Sequence, residues 1–131
     1  MDDLQDYINQ WIFRADEDLA VIGRLSESGL PAYSSSICFH AQQAVEKYLK
    51  ALLVFKGIDF RKTHDVDYLL SECQKVVPQA LDCIDLKSLT DFGGAVRYPD
   101  DFYIPEESET RHYMKIAKDI EEIVKGLISQ K

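Results

Sequence analysis

Three long stretches of this chain place apolar residues at helical spacing, and nothing in it alternates with the period of a strand. In the first, about Asp2 to Glu27, the residues Leu4, Ile8, Trp11, Ile12, Ala15, Leu19, Ile22 and Leu25 form one stripe, ended by Gly29 and Pro31. In the second, about Tyr33 to Lys56, Ile37, Ala41, Ala44, Val45, Tyr48, Leu49, Leu52 and Phe55 cover one wide face. In the last, about Glu106 to Ser129, Tyr113, Ile116, Ala117, Ile120, Ile123, Val124, Leu127 and Ile128 do the same. Each stripe must be buried against another. The expected fold is therefore all-α, an antiparallel up-and-down bundle of four to five helices in one domain.

Two shorter helices complete the expectation. Thr63 can cap one over about His64 to Val77, with Pro78 stopping or interrupting it, and Asp85 can cap another over about Leu86 to Val96. Their core candidates are Leu69, Leu70 and Cys73, then Leu89, Phe92 and Val96. Gly93 and Gly94 weaken the second and permit close backbone approach. Phe39 and Val54 fall on the polar side of the second long helix and suggest a partner surface.

Size and charge exclude several classes. The chain has 131 residues, enough for a core without covalent staples. Its three cysteines lack zinc or disulfide spacing and read as buried thiols. No apolar run reaches membrane-spanning length and the N-terminus has no signal-peptide pattern, so a cytoplasmic location is the default expectation. With 15 basic and 23 acidic residues the net charge is -8, which disfavours sequence-independent binding to nucleic acid over most of the surface. A local basic pocket remains compatible with it.

Three segments carry candidate chemistry. In "HAQQAVEKYLKA", His40, Gln43, Lys47 and Lys50 line one stripe, and Glu46 precedes Lys50 by four residues. That is either a solvated face with a helix salt bridge or an anion site. In "KTHD", His64 beside Asp65 is either an exposed capping residue or a general base. In "RYPDDFY", Arg97 either caps a helix end or offers a guanidinium fork to phosphate, and Asp100 with Asp101 could coordinate Mg²⁺ beside a nucleotide. His112 on the last helix reads as exposed. Gly-rich phosphate loops and H-E-x-x-H spacings are absent.

Taken in order, "WIFRADEDLAVI", "FHAQQAVEKYLKA", "THDVDYLL" and "RYPDDFY", followed by an amphipathic helix, resemble the HEPN domain (higher eukaryotes and prokaryotes nucleotide-binding). The resemblance implies a helical bundle that forms homodimers and pairs with a small nucleotidyltransferase-domain protein in toxin–antitoxin-like modules. Catalytic members are metal-independent ribonucleases carrying an arginine and a histidine with four to six residues between them. Arg97 matches the arginine, but Phe102, Tyr103 and Ile104 occupy the places for the histidine. A phenyl ring transfers no proton. The resemblance thus implies a non-catalytic nucleotide-binding or accessory protein. Its expected nucleotide contacts (ATP or GTP, with or without Mg²⁺; RNA as a further ligand) are Gln43, Glu46, Lys47, Lys50, His64, Arg97, Tyr98, Asp100 and Phe102. The alternatives are a divergent ribonuclease toxin using Arg97 with His64 or His40, and a purely structural interaction module.

Overall fold

The computed structural model describes residues 3–29, 32–82, 84–86, 89–92 and 104–129. Among these, all regular structure is helical: α1 (Asp3–Ser26), α2 (Ser34–Phe55), α3 (Val66–Val76), the single turn α4 (Pro78–Leu81), a 3₁₀ turn (Leu89–Phe92) and α5 (Glu107–Ser129). Helix α2 is the central element. It packs against α1, α3, the 3₁₀ turn and α5, and most of its residues are buried.

Helices α1 and α2 run antiparallel. Asp18 of α1 reaches His40 in the first third and Lys47 in the middle of α2, while Ile8 clusters with Ala51 and Val54 near its end. Helix α5 also opposes α1, with Lys125 against Asp16. It therefore lies along α2 in the same sense, Thr110 meeting Cys38 and Lys125 standing over the Tyr48 ring. The α3–α4–3₁₀ segment carries the chain back to make this possible.

The burial of α2 from several sides corrects one expectation. Val54 is covered by Ile8, Trp11 and Ile12 rather than open to a partner, while Phe39 remains exposed. A single helix packed by α1 on its polar side and α5 and α3 elsewhere has no free face left in its second half.

The helix ends follow local chemistry. α2 closes with Gly57 at φ +72°, a left-handed residue that glycine adopts without steric cost. Gly57 N donates to Val54 O (3.0 Å) and Ile58 N to Leu53 O (2.9 Å), the paired bonds that satisfy the last carbonyls. The cap of α3 is Asp65, not Thr63: Asp65 Oδ1 accepts from Tyr68 N at 3.1 Å, and Thr63 Oγ1 accepts from Asp65 N at 3.0 Å. Asp65 has the extended backbone a cap needs, so the helix begins at Val66 and leaves His64 in the loop. Pro78 does not simply end α3. It opens α4 as its first residue, where a missing N–H costs nothing.

The expected fourth helix is replaced by the 3₁₀ turn among the described residues, with Leu86 preceding it. Leu89 and Phe92 are buried as expected, and Phe92 meets Tyr113 edge-on at 5.5 Å. Gly93, Gly94 and Val96 lie outside the described residues.

Charged and polar groups tie α1 to the rest. Tyr48, fully buried, donates its hydroxyl to Asp16. Burial, then that hydrogen bond, pushes its phenol far above the usual range. Lys125 Nζ bridges Asp16 and Glu121, both at 2.9 Å. Burial opposes ionisation of Glu121, but hydrogen bonds from Lys118 and Lys125 outweigh it and hold the carboxyl below its ordinary value.

Cys38 and Cys73 are free and buried. Burial pushes their thiols up to about 11 and about 12. Because the thiolate is the reactive form, neither will be alkylated in the native protein at neutral pH. Peptide mapping after iodoacetamide treatment should find both unlabelled until denaturant is added; rapid native labelling of either would contradict their burial. Cys83 lies outside the described residues.

Candidate functional site

Gln43, Glu46, Lys47, Lys50 and His64 can be placed in the structure, whereas Arg97, Tyr98, Asp100 and Phe102, like Asp101, lie outside the described residues. The placed residues do not form one open stripe. They divide into two clusters, because α1 lies over the polar side of α2.

The first cluster centres on Asp18. His40 Nδ1 is 2.8 Å from Asp18 Oδ1, and Lys47 Nζ donates to Asp18 Oδ2 at 2.6 Å. Asp18 is buried, and its two oxygens are met by the Lys47 ammonium and a ring nitrogen of His40 on the opposing helix. Sequence reasoning missed this residue, since an aspartate on the flank of an apolar stripe looks solvent-facing.

The second cluster centres on Glu46, whose side chain is 4% exposed. Lys50 Nζ donates to Glu46 Oε2 at 3.0 Å, and His64 Nδ1 lies 2.9 Å from Glu46 Oε1. Gln42 Nε2 donates to the His64 carbonyl at 2.7 Å and approaches Glu46 Oε1 at 3.4 Å. Gln43 stands one step back, donating to Gln42 Oε1 at 2.8 Å. The Glu46–Lys50 pair is therefore not the solvated salt bridge that i, i+4 spacing suggests. Lys50 is 8% exposed, and the pair is a desolvated ion pair with further hydrogen bonds on the carboxylate. Glu46 as a carboxylate only accepts, so Nδ1 of His64 carries the proton of that contact and the opposite ring edge is left to the outside. The His64 side chain is 66% exposed.

This cluster borders a cleft of about 750 Å³. One wall is the start of α1, with Leu4, Tyr7 and Trp11; another is the end of α2, with Lys50 and Val54. The third is the loop between α2 and α3, with Ile58, Asp59, Phe60, Lys62, Thr63 and His64. The Tyr7 and Trp11 rings are tilted at 6.0 Å, and Lys50 Nζ stands 5.2 Å from the Trp11 centroid. Trp11 Nε1 is buried and has no hydrogen-bond partner among the described residues. The cleft thus combines aromatic rings with three basic side chains and one carboxylate.

Of these cleft residues, Lys50 and His64 were legible as candidates. Tyr7, Trp11 and Phe60 were not. Trp11 belongs to the apolar stripe of α1, and only the packing shows that this part of the stripe opens on a cleft. Lys62 was visible in "KTHD" but carried no spacing signal.

His112 is half-buried rather than exposed, with Nε2 enclosed and its ring 5.6 Å from Tyr113. Among the described residues no group of three or more His, Cys, Asp or Glu side chains is placed to hold a metal ion. No helix formed by them is long and apolar enough to cross a membrane.

Comparison with known proteins agrees with this architecture. The HEPN domain profile matches residues 8–127. The chain belongs to the HEPN domain family. A relative in Methanocaldococcus jannaschii, named "Putative toxin MJ1304", is 29% identical over 140 residues, covering 95% of this chain and 90% of that protein. The crystal structure of ST0689, an archaeal HEPN homologue, superposes with a TM-score of 0.66 at 30% identity, covering 93% of this chain and 98% of the other. The match runs from within α1 to within α5, so it takes in both charge clusters and all of the cleft lining except Leu4 and Tyr7.

Proposed function

We propose that this HEPN-domain protein is a nucleotide-binding accessory protein of a toxin–antitoxin-like module, without ribonuclease chemistry of its own. The observation that carries the reading is the convergence of Glu46, Lys50 and His64 beside an aromatic cleft. Buried polar networks of this kind hold their members in one geometry. Here the network fixes the loop that presents Lys62 and His64 to the cleft.

The absence of cleavage is argued from the chain itself. Residues 102, 103 and 104, separated from Arg97 by four to six residues, are Phe, Tyr and Ile. His40 has Nδ1 on Asp18, and His112 has Nε2 enclosed. A partner with a small nucleotidyltransferase domain and a homodimeric state belong to the same proposal. The relative named as a toxin supports the module, and exposed Phe13, Tyr33 and Phe39 offer apolar area for self-association.

Calorimetry with ATP and GTP tests binding. Heat with a micromolar Kd is the expected result, and no heat from any nucleotide would favour a structural module instead. RNA incubated with the protein in a chelating buffer should remain intact. Growth arrest on expression in a bacterial host that disappears with Arg97→Ala would overturn the non-catalytic reading in favour of a toxin.

A further inference from the structure

We propose that the cleft beside Trp11 holds one free nucleotide, with its ring toward α1 and its phosphates toward the 58–64 loop, and does not take a strand of RNA. The inference rests on the nucleotide-binding reading above and narrows it to a place, an orientation and a ligand size.

Three observations support it. The first is volume: about 750 Å³ lies within the range of sites that enclose one small organic ligand. A strand needs a groove that follows several nucleotides with repeated cations.

The second is the division of chemistry between the walls. The α1 wall supplies Tyr7 and Trp11, whose rings suit a flat heterocycle. The loop supplies the Lys62 ammonium, the Thr63 hydroxyl and the outward edge of His64, all suited to phosphate oxygens, alongside the Phe60 ring and one carboxylate, Asp59, that a phosphate would have to avoid. Lys62 is exposed and makes no ion pair among the described residues, so its charge is at the disposal of a ligand. Lys50, held on Glu46, is a fixed neighbour rather than a mobile phosphate clamp.

The third is charge. With a net charge of -8, the chain repels a polyanion more strongly than a single nucleotide. Binding of a strand gains from releasing many counterions, and this cleft offers too few cations to release them.

The chain's one tryptophan is Trp11, so its emission reports on this cleft alone. ATP, GTP, adenosine, inorganic triphosphate and a short RNA oligomer would each be titrated against the full chain, by emission and by calorimetry. The proposal expects saturable quenching by ATP or GTP, weaker quenching by adenosine, and none by triphosphate. It expects the oligomer to bind no more tightly than ATP. Lys62→Glu should weaken ATP binding by roughly 10-fold or more, since a charge-assisted contact is replaced by repulsion. Lys62 is exposed, so the variant should fold with an unchanged melting curve.

Heat on adding ATP with Trp11 emission unmoved and Lys62→Glu binding as before would overturn the cleft while leaving nucleotide binding standing. Quenching by the oligomer at lower concentration than by ATP would overturn the single-nucleotide reading. Heat from no ligand at all would overturn both.

Discussion

Replacing Glu46 with leucine should lower the thermal midpoint by on the order of 10–15 °C, about 3–4 kcal/mol at roughly 3–5 °C per kcal/mol for a domain of this size. Glu46 faces Lys50 at 3.0 Å with both side chains almost wholly out of solvent. Removing the carboxylate leaves the ammonium desolvated and unpaired, which costs far more than the pair is worth as a pair. The companion variant Glu46→Leu with Lys50→Met should regain most of the loss, because two apolar groups of similar volume leave no charge to desolvate. Thermal melts of the three proteins decide it. A double variant no more stable than Glu46→Leu would show that the charge is not the cause. Glu46 also holds His64 at 2.9 Å, so hydrogen exchange across residues 58–64 should accelerate in both variants.

Leu49→Ala should cost about 3–4 kcal/mol in urea unfolding. Leu49 is fully buried on α2, and its carbonyl accepts a weak hydrogen bond from the Cys73 thiol of α3 at 3.5 Å. Because α2 is packed by α1, α3 and α5, no one element can settle into the space left by the lost atoms. The cost should therefore stay clear of the lower end of the range for leucine truncations. Phe13→Ser gives the contrast. Phe13 is 65% exposed on α1 and its replacement should stay within about 0.5 kcal/mol. A Leu49→Ala cost below about 1 kcal/mol would mean that the bundle closes around the gap.

Much of the fold is legible in the stripes. Those of α1, α2 and α5 match three helices whose ends differ from expectation by about one residue. The segment around α3 was read less well. A cap at Thr63 and one at Asp65 are both chemically sensible in "KTHD", and only backbone geometry selects Asp65. The helix expected over residues 86–96 appears instead as a 3₁₀ turn at Leu89–Phe92 among the described residues. Short elements with glycines near them depend on what packs over them more than on their own propensity.

The site was legible only in part. Glu46 and Lys50 share the i, i+4 spacing, but no spacing ties His64 to them, since it is brought to Glu46 by the turn after Gly57. Lys47, which spacing groups with Lys50, belongs to Asp18 on the opposing helix. Gln43, expected as a ligand contact, donates to Gln42, which lies fully buried one position earlier and carried no signal in the sequence. One residue along a helix turns the side chain by about 100°, enough to exchange the interior for the surface.

The sequence by itself determined that the chain would be an all-helical bundle, because hydrophobic periodicity is local and each stripe demands a partner, while the resemblance to the HEPN domain was carried by its motifs. It also determined that the histidine position after Arg97 is empty of histidine, which is a matter of residue identity alone. Only the tertiary structure decided which charges are buried, which cations line the cleft and where the cleft lies. Those properties arise where α1, the end of α2 and the 58–64 loop converge, and desolvation at that junction depends on every neighbour at once.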